Sequence, residues 1–214
     1  GRVADGAAGL GNALRRRCGL GRSVGTVLVC FSITIEVDVV FAHHSKGYCA
    51  HYNDVHKTSW QVSDFHSYKF WEVTGGSREE ASAEVYRFHD TAFFRDLEVV
   101  PGAQDGVREL LDLPGVELHV VTSRQSEIAE ASRLWLSQHF PGVFDAKDRL
   151  HIGNHWGTSG VARVSKSEMC ARIGAEVLID DNPQYCTEVA SHGVQAVLFD
   201  LRGGYGWSQE RVAG

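Results

Sequence analysis

Two apolar runs that end in acidic residues place the strongest constraint on how this chain can fold. The runs span residues 33–40 and 177–183, and their acidic members are Glu36, Asp38, Asp180 and Asp181. Because unpaired carboxylates are excluded from buried strands, each cluster is expected where a strand leaves a sheet. In an open α/β sheet, ligands bind in the crevice beyond the carboxyl ends of the strands. Carboxylates that converge there repel one another unless a cation lies between them, and oxygen ligands suit Mg²⁺.

Beyond residue 100, apolar runs typical of strands alternate with segments of helical periodicity. Strands are predicted at 116–121, 149–152, 176–180 and 196–199, and helices at 103–112, 125–139, 166–174 and 184–191. A further strand is expected within the β-rich run 26–41. This alternation favours the α/β class, with a Rossmann-like parallel sheet and helices on both faces.

Residues 42–100 interrupt the alternation with a mainly helical pattern. Residues 42–57 are predicted to be helical, and a capping-box sequence that starts at Ser77 opens a second helix. We expect this segment to form an inserted helical cap beside a core made of residues 26–41 and 101–208.

An aromatic stretch lies within this segment, between Trp60 and Trp71. Aromatic side chains at this density most often form the core of a subdomain. Phe70 or Trp71 could instead stack on a nucleobase, which would suit a nucleotide substrate. The sequence leaves both interpretations open.

The composition excludes some classes of function. The hydrophobic fraction is 43%, as in globular proteins with a core, and no apolar run reaches the ~18–20 residues that span a bilayer. The net charge of −6 argues against general nucleic-acid binding through a basic surface. The five cysteines are scattered without a CxxC pair, so we expect free thiols in a reducing compartment, cytoplasmic or organellar.

Residues 1–25 differ from the rest because they are basic and rich in Gly and Ala. Up to Cys30 the chain has five arginines and one acidic residue, Asp5, a balance similar to that of a mitochondrial or plastid transit peptide. The segment is short of serine, so a disordered tail or a truncated gene model is an equal alternative.

Further polar residues are expected at the same edge of the sheet as the acidic clusters, beyond the carboxyl ends of the strands. We call this edge the rim. Thr122 and Ser123 follow the run that ends at Val121, and Lys166 opens a helix behind Ser165. Phosphoryl transfer needs such a set: a carboxylate that attacks phosphorus, a second carboxylate that moves protons, a hydroxyl and a lysine that hold phosphate oxygens, and acidic residues that hold Mg²⁺.

Each of these residues also has a structural interpretation when it is taken alone. Residues 180–183 are typical of a turn after a strand. Lys166 would be a solvated surface lysine, and Thr122 has capping-box spacing to Gln125. Their occurrence together favours the active-site interpretation.

In this order, the residues resemble the motifs of the haloacid dehalogenase (HAD) superfamily of phosphohydrolases. The first motif, DxDx[TV], falls on residues 36–40, and the second, an apolar strand that ends in Thr or Ser, falls on residues 120–122. Lys166 matches the third motif and residues 180–181 match the fourth. The resemblance implies a Mg²⁺-dependent phosphomonoesterase with a helical cap between the first and second motifs.

The chain also looks like the 5'(3')-deoxyribonucleotidase-like branch of this superfamily. The stretches that carry this likeness lie within residues 30–208, at 65–73, 100–103, 153–157, 179–183 and 205–207. The branch implies a small phosphorylated substrate, such as a nucleoside monophosphate, and neither a nucleic acid nor a membrane as partner.

Carried over by motif, the resemblance implies a role for each site residue. Glu36 is expected to attack phosphorus, and Asp38 to protonate the leaving group and then to activate water. Thr122 and Lys166 are expected to hold the phosphate. The metal is expected on Glu36, Asp38, Asp180 and Asp181, and the rest of the substrate on Ser123, Phe70 and Trp71.

Glu36 departs from the family pattern, in which the attacking residue is Asp. Glu is one methylene longer, so its carboxylate lies more than ~1 Å from where Asp would place it, a misplacement that can cost ~10²-fold in rate. Charge and metal affinity would survive this change. The sequence therefore predicts a weakened phosphatase, with a catalytically silent HAD-fold binding or assembly protein as the alternative.

Overall fold

The computed structural model describes residues 31–208, so the basic segment 1–25 lies outside the described residues. Five strands lie close to their predicted positions: β1 (Phe31–Ile35), β2 (Val116–Thr122), β3 (Leu150–Ile152), β4 (Val177–Asp180) and β5 (Gln195–Leu198). The side chains of the three inner strands, β1, β2 and β4, are largely apolar and buried, as expected for strands that are covered on both faces.

All five strands are parallel, in the spatial order β3-β2-β1-β4-β5. The central strand is β1, in which Ile35 pairs with Val120 of β2 and with Ile179 of β4. This register places the residues that follow these three positions at one edge of the sheet. The prediction of an α/β fold with a Rossmann-like parallel sheet is confirmed.

Eight α-helices accompany the strands in the described part of the chain. They are α1 (His44–His56), α2 (Trp71–Thr74), α3 (Arg78–His89), α4 (Ala92–Arg95), α5 (Ala103–Leu111), α6 (Ala129–His139), α7 (Lys166–Ile173) and α8 (Pro183–Ser191). Within residues 31–208, no helix is long and apolar enough to cross a bilayer.

Hydrophobic residues cover the sheet on both faces, as the burial of β4 shows. Val177 and Ile179 belong to the main hydrophobic cluster, whereas Leu178 packs with Cys170 of α7 and Val189 of α8. Because successive side chains of a strand point to opposite faces, the two clusters lie on opposite sides of the sheet.

Residues 42–100, which follow β1, are mainly helical, as predicted, and contain α1 to α4. Its buried aromatic residues Tyr48, Phe65 and Phe88 belong to the same hydrophobic cluster as Ile33 and Val120 of the sheet. The aromatic residues of this segment therefore share one hydrophobic core with the sheet. The division of the chain into a core and a cap at residues 42–100 stays a prediction.

The capping box predicted at Ser77 forms completely, whereas Ser165 caps α7 without the reciprocal hydrogen bond. At α3, Ser77 Oγ accepts from the N–H of Glu80 at 3.1 Å and Glu80 accepts in return from the N–H of Ser77 at 2.7 Å. At α7, Ser165 Oγ accepts from the N–H of Glu168 at 3.1 Å, but the Glu168 carboxylate pairs with Arg172 at 2.6 Å instead.

The start of the predicted helix 125–139 requires a correction. A 3₁₀ turn, Ser126–Ile128, precedes α6, and the N–H of Ser126 donates to Asn154 Oδ1 at 3.0 Å rather than into a helix. Thr122 does not cap this segment, because it is the last residue of β2. The interpretation of Thr122 as a helix cap is therefore wrong.

Candidate active site

Three neighbouring strand ends bring Glu36, Thr122 and Asp180 together, and all three side chains are buried. They meet because β1 lies between β2 and β4 in the register described above. The contact is direct, since Thr122 Oγ1 donates a hydrogen bond of 2.6 Å to Glu36 Oε1. Three of the side chains that the sequence predicted to share one rim therefore lie together.

The Glu36 carboxylate accepts hydrogen bonds from four donors. Oε1 accepts from the N–H groups of Val37 at 3.0 Å and Asp38 at 3.2 Å, as well as from Thr122. Oε2 accepts from Lys166 Nζ. Successive backbone N–H groups that point the same way form an anion-binding concavity. Both oxygens of the predicted nucleophile are thus held by donors of this chain.

The turn that orients these N–H groups is strained at Val39, whose φ is 69°. A β-branched residue rarely adopts this left-handed conformation, because its Cβ clashes with the backbone. The turn closes through hydrogen bonds of 2.8 Å from Val39 N to Ala42 O and 2.9 Å from Ala42 N to Val37 O. Strain of this kind is commonly retained at functional sites.

Lys166 supplies a buried positive charge to the site. The residue has 0% exposure and donates to both Glu36 Oε2 and Asp180 Oδ2. Its Nζ lies 4.6 Å from the centroid of the Tyr185 ring. Burial opposes the charged form, but the carboxylates of Asp180 and Glu36 outweigh it and raise the pKa of Lys166 above its ordinary value. The alternative of a solvated surface lysine is wrong.

Asp180 and Asp181 are both buried, and burial is the main cause of their raised pKa values. For Asp180, burial and the charge of Glu36 outweigh Lys166 and raise the pKa to about 6. For Asp181, burial and the neighbouring charge of Asp180 raise the pKa well above its ordinary value. The N–H of Asn182 donates to Asp180 Oδ1 at 2.8 Å and fixes this carboxylate.

Two aromatic residues hold Asp181. Its Oδ2 accepts hydrogen bonds from the Tyr68 hydroxyl at 2.5 Å and from Trp207 Nε1 at 3.1 Å. Burial and the charge of Asp181 raise the pKa of Tyr68, so its hydroxyl stays protonated and donates. Segments distant in sequence therefore position this carboxylate.

Asp38 pairs with Arg124. Its Oδ1 accepts from Arg124 Nε at 3.0 Å and Nη2 at 2.6 Å, and Arg124 is itself fixed by Ser132 Oγ at 2.8 Å. Burial favours the neutral acid, but the Arg124 guanidinium outweighs it and lowers the pKa of Asp38. Asp38 is therefore a carboxylate at neutral pH.

A cavity of about 170 Å³ opens beside these residues. Among the predicted substrate-binding residues, Ser123, Phe70 and Trp71 all line it. The Phe70 ring also stacks on buried Tyr48, with ring centroids 4.3 Å apart. Phe70 therefore contributes both to the core and to the cavity wall, and its stacking on a nucleobase stays a prediction.

Two histidines that the sequence did not single out also line the cavity. His44 and His89 lie on its wall, and His89 Nδ1 is buried without a hydrogen-bond partner among residues 31–208. Burial, with the nearby charges of His44 and Arg124, lowers the pKa of His89 to about 3. His89 is therefore neutral at physiological pH, and its Nδ1 has no hydrogen-bond partner among the described residues.

Sequence reasoning missed Arg124 and the contacts of Tyr68 and Trp207 with the acidic rim. The position of Arg124 could have indicated that it lies at the site, since it is two residues beyond the strand end at Thr122. Tyr68 and Trp207 stand in stretches that carried the family resemblance, but nothing in their spacing indicated that they share Asp181.

The chemistry of the rim fits Mg²⁺, because carboxylate oxygens are its preferred protein ligands. Of the four predicted ligands, Glu36 and Asp180 have both oxygens engaged by donors that include Lys166. Within residues 31–208, Asp38 Oδ2 and Asp181 Oδ1 have no hydrogen-bond partner, and no group of three or more His, Cys, Asp and Glu residues is arranged around one point. Asp38 and Asp181 are thus the residues most available to an ion.

A model of the family described as "5' nucleotidase, deoxy (Pyrimidine), cytosolic type C protein" matches residues 30–203. The matched region contains both acidic clusters as well as Thr122 and Lys166. No curated protein matches the chain in sequence.

Two solved structures share the fold. A haloacid dehalogenase-like family hydrolase from Streptococcus pneumoniae is 13% identical, with a TM-score of 0.58 over 86% of this chain and 93% of that one. CbbY from Rhodobacter sphaeroides, solved in complex with phosphate, is 17% identical, with a TM-score of 0.53 over 87% of this chain and 92% of that one. At these identities, the similarity establishes the fold alone.

Proposed function

This chain belongs to the 5' nucleotidase, deoxy (Pyrimidine), cytosolic type C family, as the sequence resemblance predicted, and we propose that it is a Mg²⁺-dependent phosphomonoesterase of HAD type. Its substrate would be a small phosphate ester, with a nucleoside monophosphate as the first choice. Glu36, in place of the family Asp, would limit its turnover.

One observation carries this proposal: Glu36, Thr122 and Lys166 form a single buried hydrogen-bonded group beyond the ends of adjacent strands. A carboxylate, a hydroxyl and an ammonium in contact are the groups that in-line phosphoryl transfer requires. A structural salt bridge alone would not need the strained turn that directs two further N–H groups to the same carboxylate.

In the proposed reaction, a Glu36 oxygen forms a bond to phosphorus while the bond from phosphorus to the leaving oxygen breaks. Asp38, which is ionised in the resting site, takes the proton of the bound phosphate monoanion and delivers it to that leaving oxygen. Asp38 then takes a proton from water, whose oxygen attacks phosphorus and releases the Glu36 carboxylate and inorganic phosphate. Thr122 and Lys166 stabilise the charge on the other phosphate oxygens.

Asp38 and Asp181 would hold the Mg²⁺ ion, with Glu36 and Asp180 beside them. The ion would supply charge neutralisation for the incoming phosphate. Tyr68 and Trp207 keep Asp181 in place for this role by holding its Oδ2. Phe70, Trp71 and Ser123 would contact the remainder of the substrate, which enters through the cavity they line.

The second candidate is a catalytically silent binding or assembly protein. The specific observation in its favour is that both oxygens of Glu36 are engaged, while Arg124 holds Asp38 in the charged form that cannot protonate a leaving group. The aromatic cavity would persist in such a protein and could still bind a phosphorylated ligand.

A phosphatase assay with and without Mg²⁺ separates the two candidates. The substrates would be a generic aryl phosphate and the set of deoxynucleoside monophosphates. Mg²⁺-dependent release of phosphate that Lys166→Met abolishes would support the enzyme. No release from any substrate by wild type or by Glu36→Asp would favour the binding protein.

A further inference from the structure

The donors that surround Glu36 form a site for a tetrahedral oxyanion. Val37 N, Asp38 N and Thr122 Oγ1 converge on one oxygen at 2.6–3.2 Å, and Lys166 Nζ donates to the other oxygen. We call these four groups the oxyanion cradle. Consecutive backbone N–H groups, a hydroxyl and an ammonium are the donors that hold phosphate in proteins.

We infer that the Glu36 carboxylate is the resident occupant of this cradle, so that a phosphate group binds only when Glu36 is displaced. This inference rests on the proposed function, since it describes how access to that same site is controlled. It concerns where an anion sits, not whether a bond to phosphorus forms.

The length of the side chain supports this assignment. Glu36 follows Ile35, the last residue of β1, and its carboxylate accepts from the N–H groups of the next two residues. The carboxylate of Asp at this position would end one methylene earlier and leave the far donors unfilled. Glu36 is only 4% exposed, so water does not compete for these donors.

The balance of charge supports it as well. Lys166 is fully buried and donates to Glu36 and Asp180. Without Glu36, the cradle would gain one unit of positive charge next to three unsatisfied donors. A buried cluster of unfilled donors is costly, so it would recruit an anion from solution.

The experiment measures binding of inorganic phosphate by isothermal titration, without metal, to wild type, Glu36→Ala and Glu36→Gln. Glu36→Ala empties the cradle, and it should bind phosphate at least ~10-fold more tightly than wild type, a difference of about 1.4 kcal/mol. Glu36→Gln removes the negative charge, but its amide oxygen can still accept from Val37 N, Asp38 N and Thr122 Oγ1, so its phosphate affinity should stay closer to that of wild type. Circular dichroism would verify that each variant is folded.

A second substitution tests the donors themselves. Thr122→Val in the Glu36→Ala background removes one hydroxyl donor at nearly constant volume and should reverse most of the gain in phosphate affinity. If Glu36→Ala is unfolded, Glu36→Asp provides the same test, because its carboxylate is withdrawn by one methylene.

Equal phosphate affinity for wild type and Glu36→Ala would overturn the inference. Equal affinity for Glu36→Gln and Glu36→Ala would also overturn it, because charge repulsion and not occupancy would then be the cause. Phosphate binding by Glu36→Ala without hydrolysis by any variant would uphold the inference and reject the phosphatase. Hydrolysis by Glu36→Asp without a gain in phosphate affinity would overturn the inference and support the phosphatase.

Discussion

The Tyr68 hydroxyl donates a 2.5 Å hydrogen bond to Asp181 Oδ2 and so links the aromatic stretch before α2 to the end of β4. Trp207 donates to the same oxygen from the far end of the described chain, and the Tyr68 and Trp207 rings lie 5.0 Å apart. The acidic rim is therefore positioned by two segments outside the strands that carry it. This arrangement leaves Asp181 Oδ1 without a protein donor among the described residues.

We expect Mg²⁺ to stabilise the protein through Asp181. A ligand at 100 times its Kd adds about 2.7 kcal/mol to the free energy of unfolding. Thermal unfolding with and without millimolar Mg²⁺ should show a rise in Tm for wild type that Asp181→Asn removes. Asp112→Asn, at an exposed position, is the control and should keep the shift. No shift in wild type would argue against an intact metal site.

Glu36→Asp should raise phosphatase activity by at least ~10-fold, because it restores the geometry of attack. Asp38→Asn in that background should abolish the gain, since no group would then protonate the leaving oxygen. The measurement is turnover of an aryl phosphate and of deoxynucleoside monophosphates at fixed Mg²⁺. A wild type that is already faster than Glu36→Asp would show that Glu does not misplace the attacking oxygen.

The strained turn after Glu36 makes a prediction about stability. Because Val39 has a φ of 69°, Val39→Gly should be more stable than Val39→Ala by about 1 kcal/mol. Val37 is fully buried and lies outside the positive-φ region, so Val37→Gly should be less stable than Val37→Ala. Urea unfolding of the four variants gives the relative stability of the Gly and Ala variants at each position. If the Ala variant is the more stable one at position 39 as well as at position 37, strain at Val39 is ruled out.

Glu84 links α1 to α3 and should give stability a dependence on pH. It is buried, and its carboxylate accepts from His51 Nε2 at 2.8 Å and from Arg87 Nη2 at 2.5 Å. Burial raises the pKa of Glu84, but the hydrogen bonds from Arg87, His56 and His51 together outweigh it, so the pKa is lowered from 4.5.

A lowered pKa means that this contribution is complete above the ordinary pKa of Glu and is lost as pH falls through the folded value. Glu84→Gln should therefore cost about 1–3 kcal/mol at pH 7 and progressively less below pH ~4.5. Glu79→Gln, exposed on the same helix, is the matched control and should change little. A penalty for Glu84→Gln that is constant with pH would contradict the assignment.

The sequence predicted the strands and the rim because both depend on short-range patterns. Alternating apolar runs located β2 to β5, and parallel strands necessarily bring their ends to one edge. Glu36, Thr122 and Asp180 were therefore foreseeable as neighbours.

The side-chain pairs that position the acidic residues could not be predicted from the sequence, because they join distant segments of the chain. Arg124 pairs with Asp38 across 86 positions, and Tyr68 reaches Asp181 across 113. No periodicity encodes such pairs, because each depends on how segments that are distant in the sequence pack together. The direction of the Glu36 carboxylate was equally hidden, since it depends on the left-handed turn at Val39.

The central position of β1 also affects how the protein is made. Its Thr34 hydroxyl donates to Val177 O, a partner 143 positions later in the chain. During synthesis, β1 leaves the ribosome long before β2 and β4 exist to flank it, and pairings of such long range form slowly. β1, the strand that precedes Glu36, therefore remains an unpaired apolar segment until its partner strands are synthesised. It is where a nascent chain would most need shielding from aggregation.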